Sequence, residues 1–271
     1  MNESISGNGV IETGEVQLAS GKQTVEYEVF GDVALFEGDI CLGSARQLRA
    51  LRGEDPDFDV GALDDDELGI VYVDEDQQGV PLPLHGRRWN GGIVHYVIDG
   101  ADGDKVRRAM QHWSDQTPIR FVERTTETDF IRFFLGRGCW SLVGRAGGQQ
   151  DLSTSPHCSW GNIVHEIGHA LGLWHEHSRS DRDQWITINW GRIDDTKRHN
   201  FNQHLRDGAD VNAYDYGSIM HYGPTAFTTD PFRVEKTIVP TTDGVVIGQR
   251  EALSAGDIAA ILAVYPLATG S

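Results

Sequence analysis

Three histidines close together constrain this chain more than anything else in it. They lie in His165-Glu166-Ile167-Gly168-His169-Ala170-Leu171-Gly172-Leu173-Trp174-His175-Glu176. On an α-helix, residues four apart share one side, one turn apart, so His165 and His169 can aim their imidazoles at one point. Glu166 stands beside the first of them. Gly172 permits positive φ and hence a sharp helix end. Beyond that turn His175 can approach the same point from below. Three neutral nitrogens would leave a zinc ion its full double charge and an open position for water. Such a site lowers the pKa of that water to about 7. Glu166 could then take its proton and pass it to a leaving amine. A bare His-Glu-x-x-His arises often by accident, but a third His at this spacing after the Gly makes the pattern highly specific.

The surrounding sequence supplies a body for such a site. IVHYVI (93–98), IRFV (119–122) and FIRFFL (130–135) read as strands. Between the first two, Val106, Ala109, Met110 and Trp113 mark one face of a helix over 103–115. Residues 161–173 form a second helix, with Ile163, Val164, Ile167, Ala170 and Leu171 largely apolar. A long polar, turn-rich stretch follows from 176 to 250. Ser254 and Asp257 then open a last helix as a capping box, with Ile258, Ile261, Leu262 and Tyr265 as its buried face. This order indicates an α+β fold, with helices backing a mixed sheet. The 271 residues allow one good core and an appendage.

Charge separates that appendage from the rest. Residues 1–79 carry 19 acidic side chains against 4 basic, whereas residues 80–271 are nearly balanced at 22 against 19. Such acidity excludes ordinary nucleic-acid binding. No apolar run is long enough for a membrane helix, and MNESISGNGV has neither the basic nor the apolar region of a signal peptide. Either an export signal has been trimmed off or the chain is not exported by that route. TVEYEVF (24–30) reads as strand and SARQLRALR (44–52) as a short helix. The acidic stretches 54–67 and 74–76 read as solvated connector. Three cysteines, Cys41, Cys139 and Cys158, are too few for a disulfide-stapled scaffold.

HEIGHALGLWHEH resembles the signature of the astacin family of metzincin zinc peptidases, because Glu176 directly follows the third His. DYGSIMHYG (215–223) resembles that family's Met-turn, and FVERTTETDFIRF, CWSLVGR and TIVP are similar to further astacin segments. The resemblance covers about residues 89–266. It implies a two-lobed catalytic domain over 80–271, with an irregular C-terminal lobe, a final helix and a cleft between the lobes. It implies zinc endopeptidase activity on proteins or peptides, with one Zn2+ held by His165, His169 and His175 and with Tyr222 as a further ligand. In such enzymes the Tyr swings off the metal and helps hold the developing oxyanion. Met220 would pack beneath the metal. Cys139 and Trp140 would lie on the edge strand that aligns substrate backbone, and Cys139–Cys158 would match one family disulfide. Thr117-Pro118 stands where the other begins, and the chain stops without its second half. One disulfide weakly favours an oxidising, secreted or extracytoplasmic setting. Arg233, after the Met-turn, either selects acidic P1′ side chains or is simply solvated.

Phe36-Glu37-Gly38-Asp39-Ile40 matches the F-x-G-D motif of astacin prosegments. That resemblance makes residues 1–79 an intramolecular inhibitor, with Asp39 occupying the position that the catalytic water needs. Cys41 is the rival ligand, since a thiolate also binds zinc; a plain buried thiol is the third option. The expected molecule is a monomer. A zinc-binding recognition module that has lost catalysis is an alternative, disfavoured by the presence of Glu166 and Tyr222. Another metzincin branch is disfavoured by Glu176 and the Met-turn. The resemblance to astacins implies that the mature chain begins near residue 80 and that its new N-terminus interacts through water with Glu176. No Lys or Arg lies between Arg52 and Arg87, so a trypsin-like cut there is impossible. Asp74, Glu75 and Asp76 are then candidate self-cleavage sites.

Overall fold

The computed structural model describes residues 9–18, 21–52, 54–55, 57, 88–203 and 210–266. The acidic connector after residue 57, the boundary near residue 80 and Arg87 lie outside the described residues. Four antiparallel strands open the chain: β1 (Val10–Leu18), β2 (Gly21–Phe30), β3 (Val33–Phe36) and β4 (Ile40–Ser44), in that spatial order. The alternation expected of TVEYEVF fails at its centre, where Tyr27, Glu28 and Val29 are all buried. Tyr27 and Val29 pack into the main core. Glu28 faces the other way and pairs with Lys197, on a short helical turn far along the chain. The strand is thus covered on both faces. Helix α1 (Ala45–Leu51) follows, with Ser44 and Gln47 forming its capping box.

The second sheet runs in spatial order β6 (Arg120–Glu123), β5 (Ile93–Asp99), β7 (Phe130–Leu135), β8 (Gln149–Thr154). All three of its strand pairings are parallel. The expected mixed character is carried by isolated antiparallel bridges, from Gly100 to Phe134 of β7 and, at the margin, from Trp140 to Ser153 of β8. On the other side of that segment, Ser141 bridges in parallel to Ile40 of β4. Cys41 N donates to Ser141 O at 2.7 Å and Ser141 N donates to Asp39 O at 3.0 Å. The N-terminal sheet is therefore stitched onto the edge of the main sheet. Cys139 and Cys158 are disulfide-bonded, which ties this edge to the start of the next helix.

Helices α2 (Gly103–Gln116) and α3 (Trp160–Ala170) back the sheet. The four apolar positions expected on α2 are all buried, and the Trp113 indole donates to Val164 O of α3 at 3.0 Å. Ser159 and Asn162 cap α3 reciprocally. The helix stops at Ala170, three residues short of its expected end, because the αL turn at Gly172 (φ 109°) already captures its last carbonyls. Trp89 serves another carbonyl at this end, its indole donating to Ala170 O at 2.9 Å.

Residues 176–250 contain short 3₁₀ turns and the small antiparallel pair β9 (Ile186–Ile188) and β10 (Ile238–Pro240). They enclose their own core, built on Ile186, Ile193, Phe201, Tyr214, Tyr222 and Ile238. This core is separate from the main one, which gives the domain two lobes. Helix α4 (Ala255–Val264) opens with the predicted Ser254–Asp257 box. Its buried face uses Ile261, Val264 and Tyr265, with Ile258 and Leu262 only half-buried. Asp257 also accepts from Ser218 Oγ at 2.6 Å and from Ile219 N at 2.9 Å, binding this helix to the turn that carries Met220. Asp257→Ala removes a cap and strands two buried donors, a loss of about 2–4 kcal/mol. Thermal unfolding of the zinc-loaded variant is expected roughly 5–15 °C lower than wild type; an unchanged Tm would show that the link carries no stability.

Candidate metal centre

His165 and His169 project from α3, and the αL turn brings His175 against them. All three imidazoles are buried at 0–1% exposure, with ring centroids 4.7–5.3 Å apart. Each ring spends Nδ1 on a protein acceptor. His165 donates to Ile219 O at 2.8 Å, His169 to Leu173 O at 2.7 Å, and His175 to the Glu37 carboxylate at 2.7 Å. Those bonds fix the tautomer, leaving the Nε2 lone pairs for a common ligand. Asp39 enters from the N-terminal segment, its carboxylate 3.4, 3.8 and 3.2 Å from Nε2 of His165, His169 and His175. One ligand atom from each of these four buried residues lies within 4.8 Å of every other. Nε2 of His169 and His175 and Oδ1 of Asp39 find no hydrogen-bond partner among the protein groups of this buried cluster. Buried acceptors aimed at one point suit a cation, and imidazole with carboxylate suits zinc.

The electrostatics agree. Burial opposes charge on Asp39, but the imidazoles of His175 and His165 hold its carboxyl well below the usual range. Burial likewise opposes charge on His175, yet Asp39 and Glu37 raise it to about 9. His169 is depressed by burial and by the neighbouring histidines. The two carboxylates thus favour positive charge at His175.

The remaining expected residues fall around this point. Glu166 follows His165 on α3 and is fully buried. Met220 is buried beneath the helix, so close that a Cβ on Gly168 would stand 2.6 Å from its sulfur. Tyr222 lies face to face with His177, ring centroids 3.8 Å apart, and its hydroxyl donates to the Glu37 carbonyl. Cys139 and Trp140 sit on the edge now occupied by β4. Arg233 is exposed and lines a cavity of about 330 Å³ that also touches Asp39, Tyr222 and Arg250. Glu176 accepts from Asp215 N at 2.7 Å and borders a small cavity of about 40 Å³. Burial pushes its carboxyl up to about 8.

Cys41 is not part of the cluster. It packs with Leu35 and Trp140, and burial pushes its thiol up to about 12. Sequence reading assigned nothing to Glu37, although it lies within the quoted motif. Its carboxylate, fully buried, reaches His175 and Ser178. No single-sequence signal marks it, because its aim depends on a positive φ (48°) in a non-glycine residue.

Comparison with known proteins agrees with this geometry. High choriolytic enzyme 1 of Oryzias latipes is 43% identical over 180 residues, covering 64% of this chain and 66% of that protein. Its solved structure, described as a hatching enzyme zinc-protease, superposes with a TM-score of 0.60, covering 66% of this chain and 92% of that one. Protein SpAN of Strongylocentrotus purpuratus is 39% identical over 75% of this chain but only 36% of its own length. Zinc metalloproteinase nas-13 of Caenorhabditis elegans is 32% identical over 85% of this chain and 50% of that protein. This chain thus spans about a third to two thirds of these relatives' lengths. The model of the astacin peptidase family matches residues 83–266, most of the chain, and the chain belongs to that family.

Proposed function

We propose that this chain is a zinc-dependent endopeptidase kept latent by residues 1–79, with residues 80–271 as the peptidase domain. The observation that carries this reading is the buried cluster of His165, His169 and His175 with Asp39 closing on it. The nas-13 match adds support, since it covers more of the chain than residues 80–271 could supply.

His165, His169 and His175 would hold the metal, with Asp39 as the fourth ligand in the latent form. When bound, zinc acts as a Lewis acid that lowers the pKa of a water to about 7. Glu166 then takes a proton from the attacking water and delivers it to the leaving amine. Tyr222, once released from the Glu37 carbonyl, offers its hydroxyl to the developing oxyanion. Departure of β4 frees Ser141 N and O, so that a substrate strand can pair along Cys139–Ser141. Arg233, with Arg250 in the same cavity wall, favours substrates with an acidic P1′ side chain. Met220 supports the site from below. The disulfide suits an oxidising, extracytoplasmic setting, and no helix among the described residues is long and apolar enough to cross a membrane.

Casein hydrolysis after limited proteolysis, abolished by a chelator and restored by zinc, is the expected result. A zinc-loaded, processed chain without hydrolysis would favour the recognition module. Activation is expected to be autolytic, between about residues 73 and 80, because that stretch offers carboxylates and no Lys or Arg. The new N-terminus would then approach Glu176. N-terminal sequencing of the species formed on incubation checks this, against Glu166→Ala protein held alone. A start after Arg87 or Arg88, or identical processing of the variant, would overturn autolysis.

A further inference from the structure

The N-terminal segment approaches the metal centre with two carboxylates, and only Asp39 is explained by blocking. Glu37 and Gly38 both have positive φ, 48° and 81°. This pair of left-handed residues turns the chain so sharply that the side chains at 37 and 39 reach the same histidine from opposite ends. Asp39 faces Nε2 of His175 at 3.2 Å, while Glu37 accepts from Nδ1 of the same ring at 2.7 Å. A non-glycine residue holds that conformation only where its surroundings enforce it. Here the enforcement is polar. The Glu37 carboxylate also accepts from Ser178 Oγ at 3.2 Å, and its carbonyl accepts from the Tyr222 hydroxyl. A fully buried carboxylate is costly without a compensating positive charge. A zinc ion on the far side of the imidazole would provide one, giving the carboxylate–histidine–metal arrangement that raises ligand basicity.

His165 and His169 take their Nδ1 acceptors, Ile219 and Leu173, from the peptidase domain itself. His175 takes its acceptor from the N-terminal segment. We propose that Glu37 is a positioning residue that completes the outer shell of the zinc site only in the latent chain, so that the prosegment retains the metal as well as blocking it. Removing the prosegment takes this acceptor from His175, and the mature enzyme holds zinc less tightly than its precursor. This inference rests on the zinc peptidase reading above.

The test follows zinc release from the full-length chain to a chromophoric chelator. Glu37→Ala is expected to release zinc about 10–100-fold faster than wild type, the usual cost of losing an outer-shell partner. Glu37→Gln should fall between, since an amide oxygen still accepts but carries no charge. The same ratio is expected in an Asp39→Ala background, which separates Glu37 from direct ligation. Protection of the buried Cys41 thiol from an alkylating reagent reports that β4 is still seated. Wild-type release rates in variants with Cys41 protected would overturn the proposal. A second measurement needs no variant. In the 15N-histidine-labelled, zinc-loaded chain, the His175 Nδ1 proton should be protected from exchange and lose that protection on prosegment removal, while those of His165 and His169 keep theirs. Equal protection of His175 before and after removal would also overturn it. A wild-type chain that binds no zinc at all would instead sink the underlying zinc reading.

Discussion

Glu166→Ala is expected to bind zinc as fully as wild type and to lose peptide hydrolysis by about 10²- to 10⁴-fold, the scale of general acid–base assistance. The separation follows from the helix. Nδ1 bonds to backbone carbonyls aim His165 and His169 inward without help from Glu166. Removing its carboxylate should leave the ligand set intact and take away only the proton carrier. His169→Ala should behave in the opposite way. It removes a ligand that ties α3 to the following turn, so metal and local order are lost together. Zinc analysis beside peptide hydrolysis on activated protein distinguishes the two. Full activity in Glu166→Ala would contradict the assigned role.

Asp39→Ala should make the uncleaved chain leak. Its carboxylate is the part of the N-terminal segment that meets all three imidazoles. Its loss is expected to raise activity without cleavage by roughly 10–100-fold, equivalent to about 1.4–2.8 kcal/mol of seating energy. Full activity should not appear, because the backbone bonds between β4 and Ser141 and the Glu28–Lys197 pair still hold the segment over the cleft. Cys41→Ser should stay latent, since Cys41 packs against Leu35 and Trp140 away from the ligands. Leakage from the Cys variant but not from the Asp variant would reverse the assignment.

The histidine cluster was legible because helical geometry makes a spacing of four a statement about direction, and Gly172 announces the turn that returns His175. The cap of α4 and the buried face of α2 were legible for the same reason: each depends on neighbours within a turn or two. What the sequence hides is set by distant partners. Glu28 looked like the polar side of an alternating strand until Lys197 covered it. Gly168 was given no role from sequence, yet a Cβ there would stand 2.6 Å from the sulfur of Met220. The main sheet was expected to be mixed, yet among the described residues its antiparallel character rests on two isolated bridges, Gly100–Phe134 and Trp140–Ser153, which no strand pattern encodes. Apart from the family resemblance, residues 176–250 were read as turn-rich, because a lobe built on scattered isoleucines and aromatics has no period to detect.

Metal content and peptide hydrolysis, measured on one preparation before and after residues 1–79 are cut away, bear most directly on the central claim. The account predicts one zinc per chain in both states at saturating metal, with hydrolysis arising only after the cut. Full hydrolysis by the uncut chain, or hydrolysis that persists after zinc is stripped, would contradict it.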